Sequence, residues 1–231
     1  MTGGRRRLVI AIDGPVGAGK STAARRLAEA LGYIYIDSGA MYRALGWKAF
    51  QADVDLQDPA RLADLAAATD IRVTAGRSGP RVLVDGEDVT DALRTPAMDR
   101  ASSLVSVVPE VRQRLVAIQR VLAKEGGVVM DGRDIGTVVF PDAEVKFYLD
   151  ADLTVRAARR AEDLRRGGAE VDPKAVRAEV ARRDERDRQR DASPLQAAAE
   201  AIRIDSTHLG PEDVVACMLE EVRRFHRSDK S

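Results

Sequence analysis

The amino-acid sequence predicts an α/β protein, a P-loop parallel sheet flanked by helices, and three observations lead to that class. A glycine-rich phosphate-loop pattern sits between an apolar run and a stretch of helical spacing. Short apolar runs then alternate with helical segments along most of the chain, as they do where parallel strands are covered on both faces. Between Asp58 and about Val108 that alternation gives way to a small α+β pattern, which marks an insertion.

The loop comes first. Ile12-Asp13-Gly14-Pro15-Val16-Gly17-Ala18-Gly19-Lys20-Ser21-Thr22 fits Gly-x-x-x-x-Gly-Lys-Ser/Thr, and the flanks fit too: Leu8 to Ile12 reads as a strand, Ser21 to Leu31 as a helix. Glycines let the backbone wrap a polyphosphate closely, so that successive N–H groups and a helix N-terminus face the anion. In such a loop Gly14, Pro15, Val16, Gly17, Ala18, Gly19, Lys20, Ser21 and Thr22 line the nucleotide, Lys20 brings charge to the β- and γ-phosphates, and the Ser21 hydroxyl ligates Mg²⁺. The plain alternative is a glycine-rich turn that binds nothing.

Gly32 ends the first helix, and Tyr33 to Ile36 reads as a second strand. Asp37-Ser38-Gly39 opens a helix from about Ala40 through Phe50, with Ser38 placed as an N-cap and Arg43 near the same end. In the insertion, Leu62, Leu65, Ala66 and Thr69 suggest a helix. Ile71 to Thr74 and Arg81 to Val84 then alternate like a hairpin across Gly76 to Pro80, and Asp85-Gly86-Glu87 is a further turn. Pro109 starts a helix through Lys124, with Val111, Leu115, Ile118 and Leu122 inward, and Gly126-Gly127 stops it. Val128 to Met130 is an apolar strand ending at Asp131-Gly132-Arg133-Asp134, so charge appears just past a strand's C-terminal end, where open α/β sheets bind ligands. Glu144 to Leu149 and Ile202 to Asp205 read as strands, Asp152 to Arg166 and Pro211 to Arg227 as helices.

The segment Arg177 to Arg190 stands apart. Arg182 to Arg190 carries no apolar side chain, so it is not expected to pack as a core helix. It reads as a solvated helix laced with ion pairs, as an RNA-binding arginine patch, or as a mobile lid bringing arginines to phosphates between hinges at Gly167-Gly168 and Ser193-Pro194. The interleaved acids count against the second reading.

Bulk properties narrow the classes. The 231 residues carry 37 Lys+Arg against 37 Asp+Glu, so no global field draws the chain to nucleic acid or anionic membrane. No apolar run approaches the ~18 residues of a membrane span. Arg5-Arg6-Arg7 before Leu8 to Ile12 briefly mimics a secretion leader, but Asp13 interrupts it, and a cytoplasmic protein is expected. Cys217, the single cysteine, excludes a disulfide within the chain and is expected to be buried among Val214, Val215, Met218 and Leu219. His208 and His226 lack the spacing of a structural metal site.

A phosphate loop leaves a switch GTPase, a motor ATPase or a kinase open. A switch reads guanine with an Asn-Lys-x-Asp segment, which a chain without asparagine cannot provide. A kinase must hold a second anionic substrate in line with the γ-phosphate, and arginines in three segments (Arg43, Arg133 and the lid group) suit that task through their planar, permanently charged forks.

GPVGAGKST, DSGAMYR, MDGRDIGTVVFP and RRDERDRQR-x-x-SPL, in this order and with the insertion after the second helix, resemble the bacterial cytidylate kinases over about Leu8 to Arg224. The resemblance implies a kinase core over 1–58 and 109–231, a monophosphate-binding insertion over 59–108 and a lid at about 167–192. It implies transfer of the γ-phosphate of ATP, with Mg²⁺, to CMP or dCMP. Ser38, Arg43, Ser103, Arg112, Arg133, Asp134, Arg183, Asp187 and Arg190 would line the monophosphate site: Arg43, Arg133 and Arg183 at the phosphate, Asp187 and Arg190 at the ribose, Ser103, Arg112 and Asp134 at the base. Catalysis would fall to Lys20, Arg133 and Arg183, with Asp131 orienting water on Mg²⁺ or merely ending its strand; Asp13 is expected to be structural. A monomer without nucleic-acid or membrane partners is expected. The rivals are a kinase for another nucleoside monophosphate or small metabolite, and an ATP-binding regulatory module that docks RNA through its arginine segment.

Overall fold

A computed structural model describes residues 7–74 and 79–228. In chain order the elements are β1 (Val9–Asp13), α1 (Lys20–Leu31), β2 (Ile34–Asp37), α2 (Ser38–Gln51), α3 (Pro59–Ala68), β3 (Ile71–Thr74), β4 (Arg81–Val84), β5 (Glu87–Asp88), α4 (Pro96–Val105), α5 (Pro109–Leu122), β6 (Val128–Gly132), β7 (Val145–Asp150), α6 (Leu153–Arg166), α7 (Pro173–Gln189), β8 (Ile202–Asp205) and α8 (Pro211–Ser228), with a π-helical turn at Ile135–Val139 after β6. A five-stranded parallel sheet has the order β2-β6-β1-β7-β8, so the chain is an α/β protein of the expected class. The chain divides into two compact units, Met1–Tyr33 with Gly127–Ser231, and Ile34–Gly126.

In the first unit, Ile10, Ala11, Ile12, Val128, Val129, Met130, Phe147 and Leu149 are fully or almost fully buried. Strands enclosed on both faces cannot alternate polar with apolar, which is why these segments read as unbroken apolar runs. Register places the site: Ile12 is level with Asp131 and Asp13 with Gly132. The loop leaving β1 and the charged segment leaving β6 therefore emerge side by side at the C-terminal edge of the sheet.

The second unit closes α2, α3, α4 and α5 around Met41, Leu45, Leu62, Val105, Val111 and Leu115, with the antiparallel sheet β3-β4-β5 against it. The hairpin follows its sequence pattern, Ile71 opposite Val84 and Val73 opposite Val82; of its expected connection, residues 76–78 lie outside the described residues. Gly46 sits where a Cβ would approach Ala101 Cβ to 2.6 Å, so only glycine lets α2 lie this close to α4.

Several local expectations are corrected. Asp37, not Ser38, caps α2, accepting from Ala40 N at 3.1 Å, and Ser38 becomes its first residue. The reason is stereochemical: the cap keeps extended dihedrals, which the end of a strand already supplies at Asp37. α4 has no counterpart in the sequence reading. Cys217 is exposed rather than buried, because Val214, Val215, Met218 and Val222 take the inward stripe of α8 and Cys217 falls roughly 115° from its centre at 100° per residue. α7 does pack: Val176 and Val180 bury with Ala161 of α6, and the same stripe continues into Asp184 and Asp187, also buried. Charged side chains occupy the positions where apolar ones were sought.

Candidate active site

The phosphate loop is shaped by contacts that forbid side chains. At Gly14, φ is +148° and a Cβ would stand 1.9 Å from the Leu149 carbonyl oxygen of β7. At Gly17, φ is +75° and a Cβ would stand 2.5 Å from the Arg156 carbonyl oxygen. Both the left-handed backbone and the close approach require glycine. The loop feeds directly into α1, whose first residue is Lys20, so the helix N-terminus and the lysine share one end.

Lys20 is buried, and its Nζ donates to the Pro15 carbonyl oxygen across the loop at 2.6 Å. Burial, with Arg133 and Arg183 close enough to add like charge, lowers its pKa from 10.5 to about 7; Asp131 and Asp13 pull the other way. Lys20, Asp131, Arg133 and Arg183 thus form one electrostatic cluster at the sheet edge. Two cationic partners crowding a buried ammonium is an unfavourable arrangement in isolation, and it becomes favourable when an anion enters between them.

Ser21 Oγ donates to Asp131 Oδ2 at 2.9 Å. One hydroxyl and one carboxylate, both hard oxygen donors, fit magnesium, which takes few protein ligands beside substrate phosphates and keeps several waters. Among the described residues no trio of His, Cys, Asp or Glu gathers to hold a metal alone. Asp13 accepts from Ile135 N at 2.8 Å and Gly136 N at 2.7 Å, anchoring the turn after β6. Burial lifts its pKa to about 6 in spite of those bonds.

The segment after β6 is tied to α7. Arg133 Nε donates to Asp187 Oδ2 at 2.8 Å and Arg133 Nη1 to the Gly132 carbonyl at 3.2 Å. Burial alone would raise the Asp187 pKa, but Arg133 and Arg183 hold it below the ordinary carboxylate value. Arg190 Nη2 lies 3.6 Å from Asp134 Oδ1, and its Nε donates to the Ser193 carbonyl at 2.6 Å, which closes the turn where Ser193 adopts a φ of +55°. Lys20, Ser21, Asp131, Arg133, Asp134, Arg183, Asp187 and Arg190 all belong to this first unit.

Ser38, Arg43, Ser103 and Arg112 belong to the second. Arg43 is held between two acids, with Nη2 donating to Asp37 Oδ2 at 2.6 Å and Nη1 3.7 Å from Asp99 Oδ1. Arg112, 4% exposed, lies over the Tyr42 ring with its guanidinium carbon 5.6 Å from the centroid, and donates to the Ser106 carbonyl at 3.3 Å. Ser38 and Ser103 are buried, and Ser103 Oγ has no hydrogen-bond partner among the described residues. Asp37 and Asp99 were missed by sequence reasoning. The signal lay in the DSGAMYR segment, where an acid six residues before the arginine sits at the helix cap and the side chain of Arg43 reaches back to it.

A parallel sheet with a lysine-bearing phosphate loop after β1, a hydroxyl–carboxylate pair beside it and arginines at the same edge defines a P-loop phosphotransferase. The fold agrees with a solved structure described as an uncharacterized protein from Eubacterium ventriosum, at a TM-score of 0.51 and 16% identity over 94% of this chain and 99% of that one. The cytidylate kinase family model matches residues 10–224, and the chain belongs to that family. Relatives named cytidylate kinase include those of Symbiobacterium thermophilum, 53% identical over 97% of this chain and 100% of the relative, and Geobacillus kaustophilus, 50% identical over 94% and 97%. That of Bacillus subtilis is 46% identical over 96% and 99%.

Proposed function

We propose that this chain transfers the γ-phosphate of ATP to CMP or dCMP, giving ADP and the cytidine diphosphate. Family membership supports the reaction. The observation that carries its placement on these residues is the gathering of Lys20, Asp131, Arg133 and Arg183 at the C-terminal edge of the sheet.

ATP lies in the loop from Gly14 to Thr22 with its β- and γ-phosphates at Lys20. Ser21 would hold magnesium with Asp131 orienting its water, and the ion would supply positive charge to the phosphate oxygens. The acceptor phosphate is gripped by Arg43, Arg133 and Arg183. One of its oxygens forms the new bond to the γ-phosphorus while the bond from that phosphorus to the β–γ bridging oxygen breaks and ADP leaves. No general base is needed, because a monoester with a second pKa near ~6 is already largely dianionic at neutral pH. The residues supply position and positive charge, both present before the reaction starts.

Ser103, Arg112 and Asp134 read the base. Cytosine offers an amino donor to Asp134 and acceptors to Arg112; uracil turns an acceptor toward the carboxylate, which costs roughly 1–3 kcal/mol per mismatched contact. Asp187 and Arg190 contact the ribose, and Ser38 lines the same site. Residues 59–108 form the monophosphate-binding insertion on a core of 1–58 and 109–231, and about 167–192 form a lid that excludes water as a competing acceptor. The chain acts as a monomer in the cytoplasm without nucleic acid. No helix among the described residues is long and apolar enough to cross a membrane.

Coupled ADP release, with ATP and Mg²⁺ and with CMP, UMP, AMP and GMP in turn, tests this reading. Turnover with cytosine nucleotides far above the rest is expected. Turnover led by AMP would move the assignment to another monophosphate, and ADP release with none, together with salt-sensitive RNA retention, would replace the kinase by a binding module.

A further inference from the structure

Val16, at the crest of the phosphate loop, is held from three directions by α6 and α7. Its N–H donates to Asp184 Oδ1 of α7 at 3.4 Å. Its carbonyl accepts from Arg156 Nη1 of α6 at 3.1 Å. Its side chain packs on the cluster of Ala161, Val176 and Val180 between those helices. The next residue, Gly17, rests on the α6 backbone so closely that a Cβ would meet the Arg156 carbonyl at 2.5 Å.

The two side chains are fixed to one another as well. Arg156 Nη1 is hydrogen-bonded to Asp184 Oδ2, and Arg156 Nε donates to the Ala151 carbonyl at 2.8 Å. Arg156 is 4% exposed and Asp184 2%. A buried ion pair is weak as a source of stability, since apolar residues of similar volume often serve as well. What apolar residues cannot do is satisfy a peptide N–H and a carbonyl of the same loop residue at once.

We propose that Arg156 and Asp184 are positioning residues for the phosphate loop: they clasp the N–H and carbonyl of Val16 and so make the loop's receptive shape depend on where α7 sits. This rests on the reading that the loop binds ATP. Asp184 lies between Arg183 and Asp187 on one helix, one position from the first and three from the second. A shift of α7 as the arginines close on an acceptor phosphate therefore carries the clasp with it. The loop is held in shape when α7 is seated and released when it is not.

Separate KM values for ATP and CMP, with the melting temperature, test the clasp in three proteins: the parent, Asp184→Asn, and the apolar double variant Arg156→Met with Asp184→Leu. Asp184→Asn is expected to raise KM for ATP about tenfold while KM for CMP stays within about twofold, because the loop and not the acceptor site loses its brace. The double variant is expected to recover the parent's melting temperature and still show the raised KM for ATP. Recovery of both would make the pair a mere staple between helices and overturn the inference, as would an unmoved KM for ATP or equal rises for both substrates. If the double variant does not accumulate as folded protein, Asp184→Asn decides by the same split. A parent that releases no ADP with CMP would instead overturn the functional reading itself.

Discussion

Replacing Lys20 by methionine should make the resting protein more stable at neutral pH while removing its activity, and the stability gain should fade as pH rises. The unfolded lysine binds a proton below 10.5, whereas the folded one binds it only below about 7. Between those values the unfolded state holds more protons, so raising the pH stabilises the parent. The cost to folding of giving up that proton is then about 4 kcal/mol at pH 7, about 2 at pH 9 and about 1 at pH 10. Against it stands the Nζ hydrogen bond to the Pro15 carbonyl at 2.6 Å, worth about 0.5–1.5 kcal/mol for the uncharged amine that prevails in the fold above pH 7. Methionine matches the length of the lysine stem, so packing changes little. Lys20→Met should therefore gain about 3 kcal/mol at pH 7 and about 1 kcal/mol near pH 9, and match the parent by about pH 10. Urea unfolding of both proteins from pH 7 to 10, without nucleotide, measures this. A variant less stable at pH 7, or a difference that does not change with pH, would refute the account of Lys20 as a buried amine that holds its proton weakly until phosphate arrives. Turnover by the same variant should drop by about two orders of magnitude or more.

Gly14→Ala drives a methyl to 1.9 Å from the Leu149 carbonyl and should destabilise by about 3 kcal/mol or more, read as a fall in urea midpoint; a change below about 1 kcal/mol would mean the loop can retreat from β7. Asp134→Ala should erode the preference for CMP over UMP by about tenfold or more in the ratio of kcat/KM values, and an unchanged ratio would place base reading elsewhere. Arg43→Lys keeps the charge between Asp37 and Asp99 but loses the fork, so KM for CMP should rise about tenfold with KM for ATP nearly constant. Equal rises would show that Arg43 acts on the fold rather than on the acceptor.

The parts of the fold legible in the sequence were those where one physical demand dominates. The loop glycines answer to contacts with Leu149 and Arg156 that leave no room for a side chain, and the strands β1 and β6 to burial on both faces. The segment Asp131 to Asp134 was legible as a site because three charged residues crowded at the end of so apolar a strand cost desolvation that a bound ligand can offset. α4 was not legible: its buried residues are Met98, Ala101, Ser102, Ser103 and Val105, an apolar stripe diluted by serines, and Ala101 is small where α2 lies close at Gly46, a demand that only the partner helix reveals. Nor was the inward face of α7, since a hydrophobic period cannot register a stripe that turns from valine to aspartate. The pairing of Arg43 and Arg133 with their carboxylates was invisible for a related reason. Arg43 with Asp37 and Arg133 with Asp187 are pairs defined by direction in space, and in the sequence they are ordinary surface-like charges.

Within α7 the buried positions obey two different rules. Val176 and Val180 need only bulk, and another aliphatic residue of similar size would fill the same space at little cost. Asp184 and Asp187 need a formal charge of one sign at a fixed place, because arginines lie against them. A map of tolerated substitutions over residues 173–189 would accordingly change character between Val180 and Asp184, permissive on one side and strict on the other, along a backbone that shows no break where the rule changes.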